Sequence, residues 1–165
     1  MSTSPPSVDA QLFRAGLSSW VSGVTVVTAT GPTQIAGLTA SAFSSVSVDP
    51  PLVLVCIGKS SGAHANLCEA PGFAVHVLGS DQEELSNRFA TAGIDKFDGV
   101  DFEAGPFDAP LLAVGAARLV CERHSCPEGG DHTILIGRVI DVEMGPQPPL
   151  LYHSRGYGSF RPNSR

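Results

Sequence analysis

The sequence predicts a mostly β domain with a few helices, closing as a small β-barrel. Three observations predict it. Short segments rich in Val, Ile and Thr recur at close spacing, broken by Gly-Pro, Asp-Pro-Pro and single-Gly punctuation. Helix-periodic stretches are few and do not alternate with strands, which counts against a doubly wound βαβ sheet. Two long strand patterns late in the chain, joined by a Gly-rich turn, supply antiparallel closure.

In chain order, residues 9–20 read as a helix. Leu12, Phe13, Leu17 and Trp20 recur at helical spacing, Ser7 or Asp9 serves as cap, and Gly23 is the stop. Strands are expected over 24–30, 35–39, 43–48 and 52–57, the first two forming a hairpin through Gly31-Pro32-Thr33-Gln34. A short helix over 61–69 has Ser60 or Ser61 near its cap, and a strand over 72–78 follows. The helix over 82–90 is expected to be capped by Ser80 or Asp81, with Glu84 in its first turn favouring the dipole. Residues 96–110 read as a loop-rich excursion over a site or partner. Long strands over 113–124 and 133–144 are linked by Pro127-Glu128-Gly129-Gly130-Asp131, and a mixed tail spans 150–161. With neither repeat nor internal linker, one domain is expected over 8–161 behind a flexible N-terminal segment, 1–7.

Composition excludes several classes. The chain has 165 residues, 42% of them apolar and only 16% charged, with a net charge of −6. Its ten Lys and Arg are scattered, so no basic face is available to a phosphate backbone and no nucleic-acid partner is expected. No apolar run approaches the roughly 20 residues of a bilayer span, and residues 1–7 lack the basic and apolar regions of a secretory signal. A cytoplasmic protein without a membrane partner is therefore expected. The sparse charge implies covered surface, most simply by a second subunit.

Cys56 lies in the apolar run LVLVCIG and reads as a buried free thiol. Cys121 and Cys126, with His124 and His132, have spacing poorly suited to structural zinc, so no metal is expected.

No G-x-G-x-x-G follows a strand and no Walker A occurs, so a nucleotide has to be held in another way. Four segments combine the right residue types. Gly37, Leu38, Thr39, Ala40 and Ser41 open a run of small and hydroxyl residues that leaves room for a flat ring; read alone it also fits a plain hairpin. Gly58, Lys59, Ser60, Ser61 and Gly62, between a strand and a short helix, suit a phosphate or an ordinary capped helix. Gly129-Gly130-Asp131 makes a tight turn that presents His132, a hydrogen-bonding or acid group, or simply an exposed turn residue. Tyr152, His153, Ser154, Arg155 and Gly156 with Tyr157 pair aromatic and guanidinium groups able to clamp a nucleotide, though a bland C-terminal edge looks similar. Arg88-Phe89 is a weaker fifth candidate. Hydrolytic chemistry is poorly served: there is no G-x-S-x-G elbow, and Asp95, Asp98, Asp101 and Glu103 share one loop.

Taken in order, these segments resemble the short-chain flavin reductase family. The resemblance rests on Ser22-Gly23-Val24-Thr25-Val26-Val27-Thr28, the run from Thr39 through Ser47, and Asp49-Pro50-Pro51-Leu52-Val53-Leu54-Val55. Gly72-Phe73-Ala74-Val75-His76-Val77-Leu78, Arg88-Phe89-Ala90, Asp95-Lys96-Phe97, Gly130-Asp131-His132 and Leu151-Tyr152-His153 continue it. It implies an FMN-binding split β-barrel and hydride transfer from NADH or NADPH to FMN or FAD. The reduced flavin is then supplied to a separate flavin-dependent monooxygenase by a homodimeric enzyme. Residue by residue, it places Gly37 to Ser41 beside the isoalloxazine and has Cys56, Ile57 and Gly58 line the flavin. Ser61, Gly62 and Ala63, helped by Arg88, receive phosphate. The nicotinamide falls near His132, in a positioning or proton-relay role, and near the tail from Tyr152 to Tyr157. Two departures stand out. Gly62-Ala63 replaces a longer polar or basic side chain, which moves phosphate binding toward Lys59, Ser60 and Arg88; Ser154 is an extra tail residue. The other reading is a split-barrel flavin carrier or sensor without turnover. The Gly130-Asp131-His132 segment and the tail favour the enzyme.

Overall fold

The computed structural model describes residues 7–163, so the expected flexible segment lies outside the described residues except for Ser7. Helix α1 (Ala10–Leu17) starts where the Asp9 carboxylate accepts from the N–H groups of Gln11 and Leu12, at 2.8 and 3.2 Å. It ends well before Gly23. The Ser18 hydroxyl bonds back to Ala15 O, and the N–H groups of Ser19 and Trp20 reach only three residues back, tightening the chain out of the helix.

Strand β1 (Ser22–Gly23), which was not expected, comes first; β2 (Thr25–Thr30), β3 (Ile35–Ala40), β4 (Phe43–Val48) and β5 (Pro51–Gly58) follow, close to their expected bounds. Helix α2 (His64–Glu69) begins later than residue 61, because the Ser61 hydroxyl is engaged in a local turn, accepting from Ala63 N. After β6 (Gly72–Val77) comes α3 (Glu83–Ala90). Its N-cap is Gln82, not Ser80 or Asp81; the Gln82 side chain folds back to accept from Gly79 N at 2.9 Å. Residues 96–110 hold more structure than a loop: β7 (Phe102–Ala104) pairs with β8 (Pro110–Leu112) across a single 3-10 turn. Strands β9 (Ala117–Ser125), β10 (Glu128–Gly129) and β11 (His132–Met144) form the long antiparallel unit, and β12 (Leu150–His153) and β13 (Gly156–Ser159) form the tail hairpin.

One curled sheet dominates, in the order β3-β2-β6-β9-β11-β5-β4, with β10 added to the end of β11. All its neighbours are antiparallel. The curl brings β5 back toward β3, and the Cys56 N–H donates to Ala42 O just ahead of β4, extending the β4–β5 ladder up to the seam. β3 and β5 share no ladder, so the barrel is split along this seam. A side sheet, β1-β12-β13, flanks it.

Two apolar clusters hold the fold. The first fills the barrel with Val27, Val55, Ile57, Leu67, Phe73, Val75 and Leu135. The second, with Val26, Leu78, Phe89, Leu112 and Leu150, lies under α3 and the tail. Each fully buried aliphatic or aromatic side chain contributes about 1.5–3 kcal/mol. β5 shows the alternation that divides inside from seam: Val53, Val55 and Ile57 are buried, while Leu54 and Cys56 are only partly covered.

Candidate functional site

The open seam is a cavity of about 1040 Å³. β3 and its extension supply one wall, from Ile35 through Ala42; Cys56 and Gly58 of β5 supply the other. Cys56 is therefore a wall residue and not the core thiol that the apolar run implied, since alternation turns its neighbours Val55 and Ile57 inward. Residues 60–63 close one part of the cavity, and Phe89 with residues 92–98 covers another.

Gly37 is required by packing. A Cβ there would sit 2.5 Å from the Phe89 ring and 3.3 Å from Phe97. Phe89 and Phe97 meet edge to face at 5.2 Å, and Phe97 meets Phe102 likewise at 5.4 Å. Lys96 reaches over this stack to donate to Gly37 O at 3.2 Å and Phe89 O at 2.8 Å. Burial lowers its pKa from the ordinary lysine value.

Residues 58–63 form a cradle. Lys59 N donates to Asp131 O, Ser61 N to Gly58 O, and Ala63 N to the Ser61 hydroxyl. The N–H groups of Ser60 and Gly62 have no acceptor among the described residues, although both residues line the cavity. A Cβ at Gly62 would meet nothing within 4 Å, so the wall is open there. Free N–H donors, two hydroxyls and open space suit an anionic oxygen group.

His132 stands at the rim, opposite Gly58 in the β5–β11 ladder. The turn preceding it uses Gly130 at φ +76, as a tight two-residue hairpin requires. Its Nδ1 lies 2.7 Å from the Asp131 carboxylate, and this hydrogen bond holds the Asp131 carboxyl below its ordinary pKa. Nε2 is left on the Gly58 side, 3.6 Å from where a Cβ of residue 58 would lie.

The structure thus gathers Gly37, Leu38, Thr39, Ala40, Ser41, Cys56, Gly58, Ser60, Ser61, Gly62, Ala63, Phe89 and His132 around one cavity. Other sequence candidates lie apart. Ile57 faces the core. The Lys59 ammonium is paired with Glu128 on β10. Arg88 reaches toward Asp95 O at 3.4 Å. Tyr152 packs edge-on to Tyr157 in the second cluster. His153 and Gly156 line a separate groove of about 490 Å³ with Ser19 and Val21. Ser154 and Arg155 form the hairpin turn above that groove, both at positive φ. Lys96 and the residues around it on the cover were not singled out as site residues from sequence, although the Asp95-Lys96-Phe97 match carried the signal. Among the described residues no three His, Cys, Asp or Glu side chains converge on a metal position, and no helix is long and apolar enough to cross a membrane.

A split β-barrel with a seam cavity walled by small residues and unpaired N–H donors is a nucleotide-binding class distinct from doubly wound sheets. The chain belongs to the flavin reductase like domain family, whose model matches residues 17–161. It is 40% identical over 156 residues to the FMN reductase (NADH) SmoA of Agrobacterium fabrum (strain C58 / ATCC 33970), covering 94% of this chain and 89% of that one. It is 37% identical over 155 residues to the reductase component of the 4-nitrophenol 4-monooxygenase/4-nitrocatechol 2-monooxygenase of Rhodococcus opacus, covering 94% and 83% respectively. Among solved structures, the NADH:FAD oxidoreductase of Streptomyces globisporus C-1027, in complex with NAD and FAD fragments, superposes with a TM-score of 0.88. That structure is 39% identical, with 98% of this chain and 100% of that chain covered.

Proposed function

We propose that the chain is an NAD(P)H:flavin oxidoreductase that passes a hydride from NADH or NADPH to FMN or FAD and supplies the reduced flavin to a separate flavin-dependent monooxygenase. The observation that carries this reading is the continuity of the seam cavity. A ring-sized wall from Gly37 to Ala42, the 58–63 cradle and His132 open onto a single volume. Relatives named as NADH-dependent FMN and FAD reductases favour turnover over a carrier or sensor.

Bound in the seam, a flavin supplies the hydride-accepting ring. The protein's part is binding and orientation. Gly37 to Ala42 leave a slot for a flat ring, while Ser60, Ser61 and the free N–H groups of Ser60 and Gly62 hold phosphate oxygens. Phe89, Phe97 and the Lys96 bridge keep the cover closed against water. His132, oriented by Asp131, presents Nε2 on the open side, where it positions the nicotinamide.

A homodimer completes the reading. None of the residues of α1 is buried: Leu12, Phe13 and Leu17 are exposed, and Trp20 just beyond is 76% exposed. An isolated helix of this length is marginal in water. Val46, Val48, Ile140, Val142 and Met144 add an exposed apolar face on the curled sheet, and a second copy is the simplest cover for both. We place the protein in the cytoplasm, where a partner monooxygenase and reduced nicotinamide meet.

The test mixes purified protein with each pairing of NADH or NADPH and FMN or FAD, following the nicotinamide absorbance band. Oxidation with at least one pairing is expected, and none with any pairing would overturn the reading. Sedimentation equilibrium should give twice the chain mass.

A further inference from the structure

The charges around the cavity discriminate between the two flavins. Among the described residues that line it, Lys96 is the only Lys or Arg, and its ammonium donates to Gly37 O and Phe89 O, at 3.2 and 2.8 Å. Asp95 and Asp98 line the same cavity and form no ion pair among the described residues. The Lys59 ammonium is paired with Glu128, and Arg88 reaches toward Asp95 O. The cradle therefore offers only neutral donors: the N–H groups of Ser60 and Gly62 and the hydroxyls of Ser60 and Ser61. A terminal phosphate monoester carries about −1.5 to −2 charge at pH 7, whereas a phosphodiester carries a single negative charge. With no cation at the cradle and two carboxylates on the cover, nothing offsets the desolvation of a monoester's second charge.

The cavity also continues beyond the ring wall. Gln34 and Ile35 line it at the start of β3, on the side of Gly37 away from Ala42. Helix α2 fixes this end. The Asn66 carboxamide oxygen, in a residue only 6% exposed, accepts from Thr33 N at 3.1 Å, the Thr33 hydroxyl at 2.9 Å and Gln34 N at 3.4 Å. A Cβ at Gly31 would lie 2.4 Å from Asn66, so the β2–β3 hairpin is packed directly on the helix. Because α2 follows Ala63 without a break, the cradle and the Gln34 end belong to one packed corner. The Gln34 side chain makes no hydrogen bond among the described residues. At about 1040 Å³ the cavity stands at the top of the range of about 300–1,000 Å³ for small-molecule sites.

We propose that the cavity is built for FAD in preference to FMN: the neutral cradle takes the two singly charged phosphates of the dinucleotide, and the Gln34–Ile35 end takes its adenosine. The inference rests on the reading above, in which the flavin ring lies along Gly37 to Ala42 with phosphate at residues 58–63. Neutral N–H and hydroxyl donors suit a pyrophosphate, whose charge is spread over two phosphate groups. The Gln34 carboxamide brings both a donor and an acceptor to a purine edge or a ribose hydroxyl, and Ile35 supplies an apolar contact for the base.

Isothermal titration of the full-length protein with FAD, FMN and riboflavin, with no nicotinamide present, tests this. FAD is expected to bind about tenfold tighter than FMN, and FMN within about threefold of riboflavin, since the cradle gains little from a dianion. Gln34→Ala should weaken FAD about threefold or more and not FMN. Gly62→Lys puts an ammonium beside the cradle, where a side chain has open space. It should tighten FMN about tenfold and FAD by less, closing the gap. FMN binding as tightly as FAD, or far more tightly than riboflavin, would overturn the preference. A Gln34→Ala variant that loses nothing for FAD would overturn the adenosine end, and leave it to the adenosine of NADH. Equal tightening of both flavins by Gly62→Lys would overturn the charge argument. So would a selective loss of FMN affinity in Lys59→Met, which would make Lys59 the cradle's cation. NADH oxidation with FMN preferred would overturn this inference alone, whereas no binding of any flavin would overturn the reductase reading with it.

Discussion

Lys96 Nζ donates to the carbonyl oxygen of Gly37 at 3.2 Å, fastening the loop after α3 to the strand that walls the cavity. The same ammonium caps Phe89 O at the end of α3, at 2.8 Å. No carboxylate neutralises it among the described ion pairs. Its charge is spent on two backbone carbonyls that hold the cover shut. Lys96→Met keeps the apolar stem and removes both bonds. Charged hydrogen bonds contribute about 1.5–3 kcal/mol, so the flavin KM should rise about tenfold or more, with the nicotinamide KM little changed. Lys96→Arg should restore part of the loss. Steady-state kinetics with each substrate varied in turn decides, and equal rises in both KM values would contradict the assignment.

The Asp131–His132 bond makes a second prediction. With Nδ1–H donating to the carboxylate at 2.7 Å, Nε2 is left facing the rim. His132→Ala should raise the nicotinamide KM more than the flavin KM. Asp131→Asn preserves shape while removing the charge that fixes the ring, and should shift the nicotinamide KM in the same direction by less. The Asp131 carboxyl titrates below its ordinary value because of this bond. The pairing is therefore intact above the usual carboxylate range and is lost only as pH falls through the depressed value. Rate profiles for wild type and Asp131→Asn should accordingly converge only in strong acid.

Much of this site was legible in the sequence. The small-residue run after Gly37 and the Gly58–Gly62 segment stood out by composition, which fitted a plain hairpin and a capped helix as well; the family resemblance joined them, and both line one cavity. The Gly130 turn fixed where His132 emerges. Lys96 was not legible as a site residue: in the chain it is one charge in an acidic loop, and its partners, Gly37 and Phe89, come from two other elements. Cys56 read as a core thiol from its apolar run alone, and only the family resemblance put it on the cavity wall. An apolar run cannot reveal which face of a strand lines a seam. Asp9 caps α1 as expected, whereas the caps expected for α2 and α3 failed on competition, since Ser61 and Gln82 turn their side chains to local backbone groups.

His76 carries a stability prediction. Its side chain is 1% exposed, with Nδ1 at 3.1 Å from Val26 O and Nε2 accepting from Leu112 N at 3.0 Å. Nδ1–H must then donate to Val26, so the ring is neutral and both nitrogens are engaged. Desolvation lowers its pKa to about 4 against 6.5 for the free side chain. Between these values the unfolded chain binds a proton that the folded chain refuses. The contribution is complete above 6.5, shrinks as pH falls toward 4, and is gone below it, a swing of roughly 3 kcal/mol. Urea unfolding across this range should show the decline. His76→Leu should be less stable at neutral pH by about 2–3 kcal/mol, with a flatter profile in that window, because the group that titrates is gone.

The tail turn separates strain from function. Ser154 and Arg155 have φ of 48 and 68, and they join His153 to Gly156 across the β12–β13 hairpin. Two consecutive positive φ values define a type I′ turn, whose second position favours glycine. Ser154 gains something in return, since its hydroxyl donates to Ser18 O at 3.1 Å and ties the turn to the segment after α1. Arg155 makes no hydrogen bond among the described residues and sits in the left-handed region without return. Arg155→Gly should therefore stabilise the protein by about 1 kcal/mol, a rise in Tm of roughly 2–4 °C for a domain of this size. A nicotinamide KM that rises alongside Tm would show that the guanidinium is kept for the cofactor at the expense of the turn. An unchanged Tm would mean that the hairpin holds Arg155 in this conformation without strain.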